Sequence, residues 1–218
     1  MSQVTTGVRA PLSLAAFYDF VQNSLGAGRY RAEIARRYIG LDGGPELRVL
    51  DVGCGTAKIL DHLPPCKYVG IDFSDRYLES ARRRYGDRAT FVRSEASGAS
   101  FEAWAGQFDR LIMLGLLHHL DDAAVVALFR SAAAALAEGG RVITADPTIS
   151  PETHPIGRFL AARDRGRNVR PPSGYVALAR EAFDDIIVHV HHDLLRVPYS
   201  HVILECSRPS AHHALGLE

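Results

Sequence analysis

From Leu47 to Pro147, apolar runs of strand length alternate with helix-length amphipathic stretches. Five strands are predicted, at Leu47–Val52, Tyr68–Asp72, Thr90–Arg93, Arg110–Leu114 and Gly140–Ala145. The intervening helices should begin near Thr56, Ser74 and Asp121, the last two being good N-caps because a side-chain oxygen can accept from orphan backbone N–H groups. The third helix should run to about Ala137 and stop at Glu138-Gly139-Gly140. Strands alternating with helices in this way build a parallel sheet with helices on both faces, an α/β fold.

Two helical stretches precede the sheet, about Leu14–Ser24 and Tyr30–Ile39, with Gly26-Ala27-Gly28 between them. After it come a Pro- and Arg-rich segment, Pro147–Pro172, and a helix near Gly174–Ala182. The last two strand-like runs, Ile186–His191 and Ser200–Cys206, are joined through Val197-Pro198, a connection short enough to make the pair antiparallel. The expected organisation is a helical cap over 1–40, a main domain over 41–210 with an insertion at 148–175, and a tail over 211–218.

Composition narrows the function classes. The chain has 218 residues, 47% of them hydrophobic, which suits one self-folding domain. Charge is balanced at 25 basic against 25 acidic residues, so no overall field draws the protein to nucleic acid. Three scattered cysteines, Cys54, Cys66 and Cys206, make neither a disulfide framework nor a zinc knuckle. No apolar run has the length of a membrane span and no secretory signal pattern is seen, so a cytoplasmic protein is expected. No metal site is expected: His189 and His191 share a strand face with His192 on the other, but no helical H-x-x-x-H or carboxylate pair accompanies them.

Chemistry concentrates in Val49-Leu50-Asp51-Val52-Gly53-Cys54-Gly55-Thr56-Ala57, a buried strand running into a glycine turn. Glycines at 53 and 55 let the backbone approach a ligand with no Cβ in the way. The second strand ends in Asp72, 19 residues past Gly53, close to the offset at which an acid reaches a ribose hydroxyl pair in doubly wound nucleotide folds. An adenosine-containing cofactor is the reading. Lys58 stands where a dinucleotide fingerprint would carry its third glycine, and no G-K-[ST] of a P-loop follows.

The stretch resembles the first motif of class I S-adenosylmethionine-dependent methyltransferases, with Asp51, Gly53, Cys54 and Gly55 in the motif and Ala57 where many members have a third glycine. Four further segments match in order. Asp72-Phe73 resembles the ribose-binding motif, and Ser94-Glu95-Ala96 occupies the place of the acid near the adenine amino group. Leu114 and Gly115 fall in the loop after the fourth strand, and Leu136-Ala137-Glu138-Gly139-Gly140 resembles the approach to the fifth. The resemblance implies a Rossmann-like seven-stranded sheet of order 3-2-1-4-5-7-6 with the last strand antiparallel. It also implies S-adenosyl-L-methionine as cofactor, converted to S-adenosyl-L-homocysteine, and a small-molecule methyl acceptor, on a monomer or homodimer. It is closer to quinone-biosynthesis and natural-product enzymes than to nucleic-acid methylases: no N/D-P-P-[YFW] tetrapeptide follows the fourth strand, where Leu114-Gly115-Leu116-Leu117 stands.

Methyl transfer needs a general base only when the acceptor must lose a proton. His118 and His119, beside the expected methyl position, either supply that base or merely shape the loop. Arg31 is the residue expected at the methionine carboxylate, and Tyr18, Arg163, Arg167 and Tyr175 are expected on the acceptor side. The insertion carries Arg158, Arg163, Arg165, Arg167 and Arg170, read either as a cationic rim for an anionic acceptor or as a solvated loop. Two other functions stay open: a cofactor-binding scaffold without transferase activity, and a nicotinamide oxidoreductase.

Overall fold

The computed structural model describes residues 26–40, 46–95, 101–161 and 168–210. The helix read at Leu14–Ser24, together with Tyr18, Ala96, Arg163, Arg165, Arg167 and the tail 211–218, lies outside them. Seven strands form one sheet: β1 Arg48–Val52, β2 Lys67–Asp72, β3 Ala89–Arg93, β4 Phe108–Leu114, β5 Leu136–Pro147, β6 Phe183–His191 and β7 His201–Pro209. Their order is β3-β2-β1-β4-β5-β7-β6, as the resemblance implies. Strands β1 to β5 pair in parallel, while β7 runs antiparallel to both β5 and β6.

Alternation along the strands builds two cores. Leu50, Val52, Leu111, Met113, Val142, Val202 and Leu204 face one side, against α3 (Asp122–Ala135) and α5 (Pro172–Ala179). Val49, Ile112, Ile143, Ala145 and Ile203 face the other, against α1 (Ala27–Ile34), the π-helical turn Ala35–Ile39 that continues it, and α2 (Asp75–Tyr85). Both sides of the sheet are apolar, which is why these strands read as nearly continuous hydrophobic runs. The Ser74 and Asp121 side chains cap α2 and α3, accepting from the backbone N–H groups of Tyr77 and Ala124.

Two boundaries differ from expectation. No α-helix follows the glycine turn; Ala57 is left-handed at φ 54° and only a 3-10 stretch, Lys58–His62, comes after it. Pro64 and Pro65 explain this, since the residue before a proline is pushed out of helical geometry and too few residues remain for a stable helix. Helix α3 stops at Ala135 rather than Ala137, because Leu136 already pairs with Phe108 and a register shift between Phe108 and Arg110 absorbs the glycine pair. Between β5 and α5 lies α4 (Pro155–Ala161).

Candidate active site

The carboxyl ends of β1, β2, β4 and β5 meet where the winding of the sheet reverses. The turn after β1 is folded back on β2: the backbone N–H groups of Gly53 and Cys54 both donate to the Ile71 carbonyl, at 2.8 and 3.0 Å. This requires φ values of 73° at Gly53 and 55° at Gly55, a left-handed conformation that suits glycine. A Cβ on Gly55 would meet nothing within 4 Å, so the turn faces open space.

Asp72 closes the cradle. One carboxylate oxygen accepts from the Gly55 N–H at 2.9 Å and the other from the Ser74 N–H at 2.8 Å. Fixed by these backbone donors, the carboxylate is held as an acceptor at the mouth of the turn, as a pair of adjacent hydroxyls would need. Burial raises the Asp72 pKa and these backbone donors oppose the rise. Beside it Phe73, 44% exposed, borders a cleft of about 280 Å³ with Arg93, Ser94 and Glu95. A flat aromatic edge and an acid at one end of that cleft match what an adenine ring and its amino group would require.

Asp51 is buried under the turn rather than in it. It shares the α1 side of the sheet with Tyr68, whose hydroxyl donates to its carboxylate. Burial pushes the Asp51 carboxyl up to about 7, opposed by the Tyr68 hydrogen bond and helped by the nearby Asp72 charge. Cys54 is packed with its thiol against Gly70, where a Cβ would come within 2.9 Å of the sulfur. Burial first, then the Asp51 and Asp72 charges, raise the thiol's pKa, so it is a packing group and not a nucleophile.

The loop after β4 forms the opposite wall. Gly115, at φ 68°, donates its N–H to the Ala145 carbonyl, and Leu116 leans over the glycine turn, 3.0 Å from where a Gly53 Cβ would be. Leu114 is half-buried at the strand end, and His119 is exposed and stacked on His118 at 4.0 Å. His118 is buried, and its imidazole Nδ1 lies 2.8 Å from Asp146 Oδ1 at the end of β5. An ionised carboxylate can only accept, so Nδ1 carries the proton and Nε2 is the basic nitrogen. Asp146 Oδ2 is buried and has no hydrogen-bond partner among the described residues. Burial first, and the Asp146 charge second, raise the Tyr30 and Tyr175 phenols above the ordinary tyrosine range.

Asp146 was absent from the sequence reading, although an acid ending a buried strand opposite a histidine loop is a visible signal. Arg170 changes role. It is buried, donating to the carbonyls of Leu117, Leu120 and Asn168 and to Asp122, so it staples the histidine loop instead of forming part of a cationic rim. Arg158 is likewise engaged with the Ser150 and Pro151 carbonyls. Tyr175, expected on the acceptor side, is 1% exposed in the core with its hydroxyl donating to the Pro147 carbonyl. Arg31 is half-buried in α1, next to Tyr30, whose hydroxyl reaches the Ala145 carbonyl at 3.5 Å. His189 and His191 do share a face, packing on the Tyr38 ring, and are bound to Glu205 and to the Tyr38 hydroxyl.

Residues 49–140 match a family model described as a methyltransferase domain. An uncharacterized protein of Synechococcus sp. is 35% identical over 84 residues, 34% of this chain and 20% of that protein. The match thus spans about a fifth of that curated relative. A possible exported protein from Bordetella parapertussis superposes with a TM-score of 0.64 at 23% identity, covering 95% of this chain and 76% of its own. Geranyl diphosphate methyltransferase in complex with SAM gives 0.65 at 15% identity, covering 93% of each chain. The pyocyanin biosynthetic protein PhzM gives 0.68 at 18%, covering 90% of this chain and 59% of that one. Sheet order and the ordered motifs agree with the match of residues 49–140 to a methyltransferase domain, and the fold is that of the methyltransferases it superposes on.

Proposed function

We propose that the chain moves a methyl group from S-adenosylmethionine to a small molecule. The observation that carries this reading is the Asp72 carboxylate, held by the Gly55 and Ser74 N–H groups beside a glycine turn that faces open space. These residues fit the cofactor: Asp72 for the ribose, the Phe73–Glu95 cleft for adenine, and the Gly53–Gly55 turn for the methionine end, with Arg31 toward its carboxylate. The bound cofactor supplies an already activated methyl group on a positive sulfur, so the protein's task is to align the acceptor with it and exclude water.

His118 and Asp146 define what else the chain does. With Nδ1 tied to Asp146, Nε2 is the nitrogen that would take up a proton released by the acceptor. Among oxygen, nitrogen and carbon acceptors, this favours one that must shed a proton, a hydroxyl above all. The loop is fixed by Arg170, and Leu116 packs over the glycine turn. Cysteine usage supports cytoplasmic action, and the balanced charge is compatible with a small, even anionic, acceptor.

Calorimetric titration with S-adenosylhomocysteine and with NAD tests the cofactor assignment. Binding of the first and not the second is expected, with at least tenfold weaker binding in Asp72→Ala. Binding of NAD alone overturns the reading, and full affinity in Asp72→Ala overturns the ribose assignment.

A further inference from the structure

The sheet ends in two unlike edges. At one, β3 is five residues long and finishes on the exposed Arg93, the short, charged form that blunts an edge against further pairing. At the other, β6 runs nine residues, Phe183–His191, with no lysine, arginine or proline in it. Its charges, Asp184 and Asp185, stand near one end, and the middle is Ile186-Ile187-Val188. Its inner side pairs with β7, and among the described residues no strand lies on its outer side. Alternate main-chain N–H and C=O groups therefore point outward along its length, a template for another strand.

The side chains on this edge are apolar where an edge facing water is commonly charged. Ile187 is 58% exposed, Val188 40% and Val190 39%. Neighbours along a strand alternate between faces, so Ile186, Val188 and Val190 line the face that carries α5. Asp185, Ile187, His189 and His191 line the face that carries Tyr38.

A second copy of the same strand fits this pattern, and in one register. Two copies related by a two-fold axis normal to the sheet pair antiparallel and keep their faces, so even residues oppose even and odd oppose odd. With the axis through Val188, Val188 opposes itself, Ile186 opposes Val190, Ile187 opposes His189 and Asp185 opposes His191. Apolar meets apolar on one face, and acid meets imidazole on the other. Moving the axis to Ile187 sets Asp184 against Val190; moving it to His189 sets that residue against itself and Asp185 against Asp193. Asp185 already holds Arg208, and His191 already meets the Tyr38 hydroxyl, so the charged contact selects the register while the main-chain ladder and the valines supply the adhesion.

We propose that two copies of this chain join edge to edge through β6, antiparallel about Val188, into one continuous sheet. The ladder is about 30 Å long at strand spacing. Three strands separate β6 from β1, so the joint is remote from the glycine turn. A strand edge is a small interface, and the dimer should form in the micromolar range.

Sedimentation velocity of the full chain over a concentration series, together with oxidative cross-linking, tests this. The wild type should pass from monomer to dimer as concentration rises. Val188→Lys sets two like charges against each other on the axis and should weaken the dimer at least tenfold; Val190→Lys, opposite Ile186, should act likewise. Both sites are partly exposed, so thermal melts close to wild type serve as the folding control. Thr90→Lys, on the β3 edge, should leave association unchanged. Val188→Cys should form a disulfide between copies, its Cβ atoms facing each other across the axis, and Ile187→Cys, opposite His189, should not. The wild type, whose three cysteines are buried or half-buried, is the blank. Three results overturn the proposal: a chain that stays monomeric at every concentration, even if phosphatidylglycerol vesicles or an extended apolar peptide then protect β6; a dimer that both lysine variants leave intact; or cross-linking at Ile187→Cys as strong as at Val188→Cys. The readout is mass rather than turnover, so it stands apart from the outcome of the cofactor titration.

Discussion

His118 is joined to Asp146 twice, its backbone N–H and its imidazole Nδ1 both reaching the same carboxylate oxygen, at 3.2 and 2.8 Å. Asp146 lies on β5 and His118 in the 3-10 turn just past the neighbouring β4, a turn held by Arg170. If His118 is the proton acceptor, His118→Gln should lower turnover by roughly 10²–10⁴-fold. Binding of S-adenosylhomocysteine should stay within a factor of about three, since neither residue touches the Asp72 cradle. Asp146→Asn keeps a hydrogen-bond acceptor but removes the charge, and should also lower turnover, because the imidazolium formed on proton uptake loses its counter-charge. Steady-state rates and calorimetry on the same samples check both; unchanged turnover in His118→Gln removes it from the chemistry.

Arg170 serves backbone as much as side chains. Replacing it with alanine strands the buried Leu120 carbonyl, takes one of two donors from the Leu117 carbonyl and leaves Asp122 without its partner, an expected loss of roughly 2–4 kcal/mol in a denaturant melt. Lysine should recover less than half of that, because one ammonium cannot span carbonyls served by a planar fork. Full rescue by lysine would show that charge alone is at stake.

The turn after β1 sets a steric test. Gly53→Ala should cost about 1–2 kcal/mol from its left-handed backbone alone, and its Cβ would also meet Leu116 at 3.0 Å. Adding Leu116→Ala removes the contact and leaves the backbone cost, so the double variant should bind S-adenosylhomocysteine better than Gly53→Ala without regaining full stability. Identical binding in the two would show that Leu116 does not press on the turn.

Asp51 gives stability a pH dependence of unusual sign. Its folded pKa of about 7 lies above the ordinary carboxylate value, so the folded state holds the proton more tightly than the unfolded chain. The stabilisation is complete below the unfolded pKa near 4 and is lost as pH rises through about 7, with a slope of at most about 1.4 kcal/mol per pH unit. Thermal melts from pH 5 to 8 should show falling stability in the wild type. Asp51→Asn keeps an acceptor for the Tyr68 hydroxyl and should flatten that fall.

All seven strands were legible in the sequence because both sides of the sheet are apolar and the helices between the parallel strands are amphipathic. Asp72 was legible because its distance from Gly53 is set by one strand–helix–strand unit. Arg170 was not: its partners are carbonyls of residues 117 and 120, and a backbone acceptor leaves no mark in composition. Tyr175 misleads for a similar reason, since an aromatic in a polar insertion looks exposed until α5 carries it into the core. Asp51 stood in a recognised motif, yet its partner Tyr68 comes from the neighbouring strand and could be found only from register.

The position of β7 governs how the chain can be made. Although it is the last strand in sequence, it lies inside the sheet, between β5 and β6. A nascent chain that has reached residue 191 has every other strand, but β5 is left with an open edge and Ile143 and Ala145 with a cover missing. Until His201–Pro209 emerges, that edge is free to pair with another chain. Loss of His201–Pro209 therefore takes out an interior strand rather than trimming a margin.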